Sequence, residues 1–174
     1  MALHPLNVLS VCSGVGGLDL GLHDALGRAG FAPRTVCYIE REAFAAANLV
    51  ARMGEGRLDH APVWSDLSTF DAGPWAGLVD CITGGIPCQP WSTAGKQRGT
   101  NDERHLWPHV ARLVEQLKPR IVAIENVAGH LSAGTPLVLG DLQAMGYRTA
   151  ASLWTAQEVG APHRRERIFI VGSR

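Results

Sequence analysis

The feature that most limits the fold lies near the N-terminus. Leu6-Asn7-Val8-Leu9-Ser10-Val11 reads as a short strand and runs straight into a glycine-rich loop, Cys12-Ser13-Gly14-Val15-Gly16-Gly17. Beyond the loop, apolar residues recur at Leu18, Leu22, Ala25, Leu26 and Ala29, the spacing of one helix face, with Gly30 as the stop. Strand, glycine loop and helix open a nucleotide-binding α/β unit, in which backbone N–H groups and a helix N-terminus meet an anionic group. The spacing is Gly-x-Gly-Gly, and Asp19 stands where a dinucleotide fingerprint has its last glycine, which disfavours a dinucleotide. Alone, such a loop also fits a plain tight turn.

The remaining chain keeps the same alternation. Thr35–Ile39 is a second strand, followed by a helix over Arg41–Met53, and Val63-Trp64 marks a short third strand after a Gly54 and Gly56 loop. Leu78–Ile82 is a fourth strand, Leu106–Leu117 a helix closed by Lys118 and Pro119, and Ile121–Ile124 a fully apolar fifth strand. Thr135-Pro136 is an N-cap and first-turn pair, Gly146 a stop, and Tyr147–Trp154 and Ile168–Val171 the last two strands. No internal repeat, linker or low-complexity segment interrupts this pattern.

The stretch most suggestive of chemistry follows the fourth strand: Gly84-Gly85-Ile86-Pro87-Cys88-Gln89-Pro90-Trp91-Ser92. Two glycines are expected to let the backbone turn, and Pro87 and Pro90 to stiffen it around the cysteine. That holds a thiol at the C-terminal mouth of a strand, where open α/β sheets place ligands. Two readings compete for Cys88, a nucleophile and an inert buried cysteine. The inert reading suits Cys12, Cys37 and Cys81 better, because each lies within or at the end of an apolar run. The polar segment from Thr93 to His105, carrying Lys96, Arg98 and Arg104, reads as a functional loop or as a plain connector.

Acidic and basic side chains sit at other strand mouths. Glu40 suits ribose hydroxyls and equally a helix N-terminal charge. Asp66 fits an adenine amino group or, more simply, an Asx turn. Glu125-Asn126 ends the fifth strand, where the glutamate would face the same cleft as Cys88 or cap a turn. Arg165 and Arg167, alternating at a strand entry, would place both guanidiniums on one face, for a ligand or as a solvated edge.

The 174 residues suffice for one domain, 1–174, with its own core. The N-terminus has no signal-peptide pattern, no run is long enough to span a membrane, and four cysteines without paired or metal-type spacing suggest a reducing compartment. Net charge is zero but uneven. Residues 1–92 carry 5 basic and 9 acidic side chains, and residues 93–174 carry 11 and 7, so the positive half begins just after the cysteine loop. That hints at a phosphate-facing side, as does an excess of Arg over Lys, 14 to 2.

Taken together, these stretches resemble the catalytic part of the DNA cytosine-5 methyltransferases, in motif order from Val8 to Gly172. Gly14-Val15-Gly16-Gly17 resembles the cofactor loop, Pro87-Cys88-Gln89 the nucleophile motif and Glu125-Asn126-Val127 the acid motif. His163-Arg164-Arg165-Glu166-Arg167 is similar to the family's Gln-x-Arg-x-Arg, with His163 in place of Gln. The resemblance implies a Rossmann-like class I methyltransferase fold: a mostly parallel central sheet, helices on both faces and an antiparallel last strand. It implies S-adenosylmethionine as cofactor, held by Ser13, Gly14, Val15, Gly16, Gly17, Leu18, Glu40, Arg41, Asp66, Leu67 and Pro87, and no metal. The implied catalytic residues are Cys88, adding to C6 of a flipped-out cytosine in duplex DNA, Glu125, donating in its protonated form to N3, Arg167, holding O2, and Arg165, supporting the glutamate or a phosphate. Gln89, Ser92, Lys96, Arg98, Asn126 and Arg164 are the implied substrate contacts.

Family members normally continue into a target-recognition domain and a C-terminal segment that completes the cofactor pocket. Neither is expected in these 174 residues. That keeps three alternatives open: the same chemistry on RNA or a free nucleotide, the catalytic half of a split enzyme, and an inactive binding module. A homodimer or a separate recognition subunit is the expected partner, and the cytoplasm of a prokaryotic or phage-infected cell, in a restriction-modification setting, the expected location.

Overall fold

The computed structural model describes residues 4–86, 106–130 and 134–174. Among the described residues, seven strands form one sheet: β1 His4–Val11, β2 Phe31–Ile39, β3 Val63–Trp64, β4 Cys81–Gly85, β5 Ile121–Val127, β6 Arg148–Thr155 and β7 Glu166–Ser173. Their spatial order is β3-β2-β1-β4-β5-β7-β6. The pairs from β3 through β5 are parallel, and β7 runs antiparallel to both of its neighbours. The α-helices of the described residues are α1 Gly17–Arg28, α2 Ala43–Gly54, α3 Trp107–Leu117 and α4 Gly134–Ala144.

Side-chain alternation along the strands assigns each helix a face. Leu6 and Val8 of β1 pack with Cys81 of β4 and Leu26 of α1, and Tyr38 of β2 packs with Leu49 and Met53 of α2. On the opposite face, Leu9, Val11, Ile82, Val122, Ile124, Ile168 and Ile170 meet Val110, Leu113 and Val114 of α3 and Val138 and Leu142 of α4. A register shift between Val8 and Leu9 separates the two halves of β1.

β1 has β2 on one side and β4 on the other. The chain's direction across the sheet reverses there, and the C-terminal ends of β1, β2, β4 and β5 open onto one crevice, the position where open α/β sheets bind ligands.

Most expected elements form, with shifted edges. β2 begins at Phe31, four residues before the expected start, and includes Pro33. β3 pairs only with Tyr38 and Ile39, so Pro33 withholds no hydrogen bond from the ladder on that side. β4 is displaced further: it runs over Cys81–Gly85 and not over Leu78–Ile82, and Leu78 is exposed. Gly84 and Gly85 are therefore strand residues and make no turn. A Cβ on Gly84 would stand 2.6 Å from Val11 Cγ2 and 2.8 Å from Val11 O, so this glycine lets β4 lie against β1 at the crevice. α4 begins at Gly134 and takes in Thr135, the expected cap.

Candidate active site

The glycine loop is held open by its backbone. Gly14 and Gly16 have φ of 55° and 79°, and Cys12 takes φ 49° without being a glycine. Gly16 N–H donates to Ser13 O and Ser13 N–H to Ile39 O, which fixes the loop against β2. Gly16 is also the N-cap of α1 and offers no side-chain acceptor, which leaves the N–H groups of the first turn for a ligand or water. A Cβ on Gly16 would lie 2.6 Å from Leu58 Cδ1.

The carboxylates at the mouths of β2 and β3 serve the same crevice. Glu40 accepts Gly14 N–H at 2.7 Å on Oε2 and Glu42 N–H at 2.8 Å on Oε1, so it ties the loop to the end of β2. The cap of α2 is Glu42, which accepts Ala45 N–H at 2.7 Å. Asp66 Oδ1 accepts both the N–H and the hydroxyl of Ser68, at 2.8 and 2.7 Å. Those bonds hold its carboxyl below the ordinary carboxylate range, with Arg41 and His109 adding a weaker attraction. The helix-end role expected of Glu40 thus falls to Glu42, Asp66 makes the expected Asx turn, and both Glu40 and Asp66 retain acceptor capacity for a ligand.

Glu125 stands at the end of β5, opposite Gly85 on β4 and Phe169 on β7. A Cβ on Gly85 would come within 3.2 Å of Glu125 Oε2, so the second glycine makes room for the acid. Arg167 Nε meets Glu125 Oε1 at 2.5 Å, and Arg167 also donates to Glu166 O. Glu125 lines two adjoining spaces. One is a cavity of about 200 Å³ shared with Ser10, Cys12, Ser13, Leu18, Asp19 and Gly84. The other is a groove of about 560 Å³ between α1 and the β5–β7 face, bordered by Leu18, Leu22, Ala123, Arg165, Phe169 and Val171.

Arg167, expected at the cytosine O2, pairs with Glu125, and Arg165, expected to support the glutamate or a phosphate, lines the groove that Glu125 also borders. Arg165 precedes β7, so strand alternation does not govern where it points. Asn126 is buried and accepts Val127 N–H, because the pleat sends it to the face opposite Glu125. The Leu67 side chain is in the core, and the Ser13 hydroxyl is engaged by Ser10. Arg164 is exposed and paired with Glu166. Pro87, Cys88, Gln89, Ser92, Lys96 and Arg98 lie outside the described residues.

The three described cysteines fit the inert reading. Burial pushes the Cys81 thiol up to about 12, Cys37 to about 11, and Cys12 to about 12 with Glu40 adding to the effect. The sequence reading missed Asp19. This carboxyl is buried in the first turn of α1, and neither oxygen has a hydrogen-bond partner of good geometry among the described residues. Only its departure from the dinucleotide glycine pattern marked it.

A family model described as C-5 cytosine-specific DNA methylase matches residues 6–174. Among curated proteins, the chain is 34% identical over its full length to the Type II methyltransferase M.PspPI of Psychrobacter sp., covering 42% of that protein. It is 32% identical over 94% of its length to M.NgoMIV of Neisseria gonorrhoeae, covering 50%. The chain thus spans half or less of these relatives. A solved structure described as a DNA modification methyltransferase encoded within a prophage (E. coli) superposes with TM-score 0.73 at 29% identity, over 97% of this chain and 47% of that one. The Spodoptera frugiperda DNMT2 structure shares the fold, with TM-score 0.75 at 22% identity, over 97% and 50%.

Proposed function

This chain belongs to the C-5 cytosine-specific DNA methylase family, and from that premise we propose that it carries the catalytic centre for methylating C5 of cytosine in DNA. The observation that carries the reading is Glu125, fixed by Arg167 at the mouth of β5, beside the end of β4 and lining one cavity with the glycine loop. Ile86, the residue after β4, donates its N–H to Glu125 O, and Pro87-Cys88-Gln89 follows directly in sequence.

The crevice fits S-adenosylmethionine. The uncapped first turn of α1 suits the carboxylate of its methionine part, Glu40 the ribose hydroxyls and Asp66 the adenine amino group. Backbone of Gly14, Val15, Gly16 and Leu67 and the side chain of Leu18 complete the contacts. When bound, the cofactor supplies an electrophilic methyl group.

The chain's own residues activate the base. Cytosine C5 is a poor nucleophile until the Cys88 thiolate adds to C6 and pushes electron density onto the ring. Glu125, in its protonated form, donates to N3 and stabilises the charge that builds on the ring. Arg167 orients Glu125 and holds O2, and Arg165, which lines the adjoining groove, supports the glutamate or a phosphate. Departure of the C5 proton then expels the cysteine and restores the ring. A stacked cytosine is out of reach of these groups, so the base is flipped out at a cost of about a few kcal/mol. Gln89, Ser92, Lys96, Arg98 and Arg164 are the proposed DNA contacts, which position the duplex through phosphates.

One observation favours a partner. Along β7, Phe169 and Val171 are exposed on the α1 side of the sheet, and Ala123 and the groove beside Gly17 and Gly21 continue that surface. No described residue covers it. We place another polypeptide surface there, a second copy of this chain or a separate recognition subunit. No helix among the described residues is long and apolar enough to cross a membrane, and the cytoplasm of a prokaryotic cell is the proposed location.

A duplex containing 5-fluorocytosine tests the chemistry, because fluorine at C5 cannot leave as a proton. With S-adenosylmethionine, a covalent adduct should form and map to Cys88, and Cys88→Ala should form none. An adduct on Cys81, or full activity in Cys88→Ala, rejects the assignment.

A further inference from the structure

Arg112 lies on α3, well away from the glycine loop, yet its guanidinium reaches into the segment that follows β3. One amino group, Nη2, donates to Leu67 O at 3.3 Å and to Phe70 O at 3.1 Å, and the other, Nη1, donates to Gln116 Oε1 at 3.2 Å. The Leu67 carbonyl belongs to the same peptide group as the Ser68 N–H, and that N–H donates to Asp66 Oδ1. This single peptide is therefore gripped at both ends, by Arg112 on its oxygen and by Asp66 on its hydrogen. A cation on the carbonyl polarises the peptide and strengthens the bond made by its N–H.

The surroundings make this linkage stiff. Leu67 and Phe70 are buried, and the Phe70 ring meets Trp64 edge-to-face and lies tilted against Trp75. At the start of α3, the buried Trp107 donates from Nε1 to Asp141 of α4 at 2.7 Å, which anchors the helix that carries Arg112. Asp66 itself is only partly buried at the turn, so the two Ser68 bonds, and not close packing, orient its carboxylate.

We propose that Arg112 is a positioning residue for Asp66: through the Leu67–Ser68 peptide it holds the carboxylate in the orientation that recognises the adenine amino group. The proposal rests on the reading of Asp66 as an adenine contact. It adds a dependence of base selectivity in the cofactor pocket on a residue that touches no part of the cofactor.

Two measurements test it. The first is calorimetric affinity for S-adenosylhomocysteine and for its inosine counterpart, in which a carbonyl replaces the adenine amino group. The parent should prefer the adenine compound by about tenfold, the worth of one good charge-assisted hydrogen bond. Asp66→Ala should abolish the preference, Arg112→Ala should reduce it about threefold or more, and Arg112→Lys, which keeps a cation able to reach one carbonyl, should restore part of it. The second is amide hydrogen exchange without ligand, in which Arg112→Ala should speed exchange at Ser68. A parent with no preference, or with no measurable binding, overturns the adenine reading and the proposal together. A preference lost in Asp66→Ala but intact in Arg112→Ala and Arg112→Lys overturns the proposal alone, as does a Ser68 amide that exchanges at the parent rate. Equal loss of affinity for both compounds in Arg112→Ala marks a merely structural arginine and also rejects it.

Discussion

Asp19 is a carboxyl with almost no contact with water, and the folded chain resists ionising it. Burial is the main cause of its raised pKa. Ser10 and His23 favour the charged form more weakly, and the Ser10 hydroxyl is directed at Ser13. The folded state therefore holds the proton more tightly than the unfolded chain, whose value is near 3.8. The stability this contributes is complete below about 3.8 and is lost as pH rises toward the raised folded value. Asp19→Asn keeps the shape and removes the ionisation. At neutral pH it should stabilise the chain, because folding then neither buries a charge nor has to protonate the carboxyl. The gain should shrink toward pH 4, as read from urea unfolding at a series of pH values. A variant less stable than the parent at pH 7 would mean that the charged carboxylate has a partner after all.

At the scale of elements, the crevice depends on how closely β1, β4 and β5 approach. Gly84 and Gly85 are adjacent and serve different neighbours, because successive strand residues face opposite sides. Gly84 admits Val11, and Gly85 admits the Glu125 carboxylate. Ala at 84 has no space, since one of its closest neighbours is a backbone oxygen that cannot rotate away. Gly84→Ala should cost about 1–3 kcal/mol as an overpacked core site, which for a chain of this size lowers the melting temperature by roughly 2–12 °C. Scanning calorimetry would show it. A melting temperature unchanged within a degree would mean that β4 can move from β1 at little cost.

For the whole molecule, the two faces of the sheet are unequal. α3, α4 and the Leu67–Phe70 segment bury one face from β2 to β7, whereas on the other face the packing of α1 and α2 reaches only to Ile121 at the start of β5. Phe169 and Val171, 36% and 44% exposed, mark the remainder. A contiguous exposed apolar surface of this kind commonly marks a site of protein contact. If the partner is a second copy, light scattering at micromolar concentration should give a mass above that of one chain. Val171→Asp, which places a charge in the middle of the face, should return it to a monomer while leaving the fold intact by circular dichroism. A parent monomeric at every concentration rejects self-association.

The sequence by itself determined the order of strands and helices, the glycine loop and the mouths at which Glu40, Asp66 and Glu125 appear. Each is a local property: apolar periodicity, glycine spacing and strand ends are set by neighbours in the chain. Even where an edge was misplaced, as in β4, the error came from Leu78 and Val79, an apolar pair whose first member is exposed. Tertiary structure decided the rest, because those facts depend on residues far apart in sequence. Arg167 belongs to Glu125 because β7 returns antiparallel beside β5, and no spacing along the chain reveals that register. Asn126 turns away from the crevice by the same pleat that presents Glu125 to it. The use of Gly84 is visible only once β1 lies beside β4, and the reach of Arg112 to the Asp66 turn only once α3 packs beneath it.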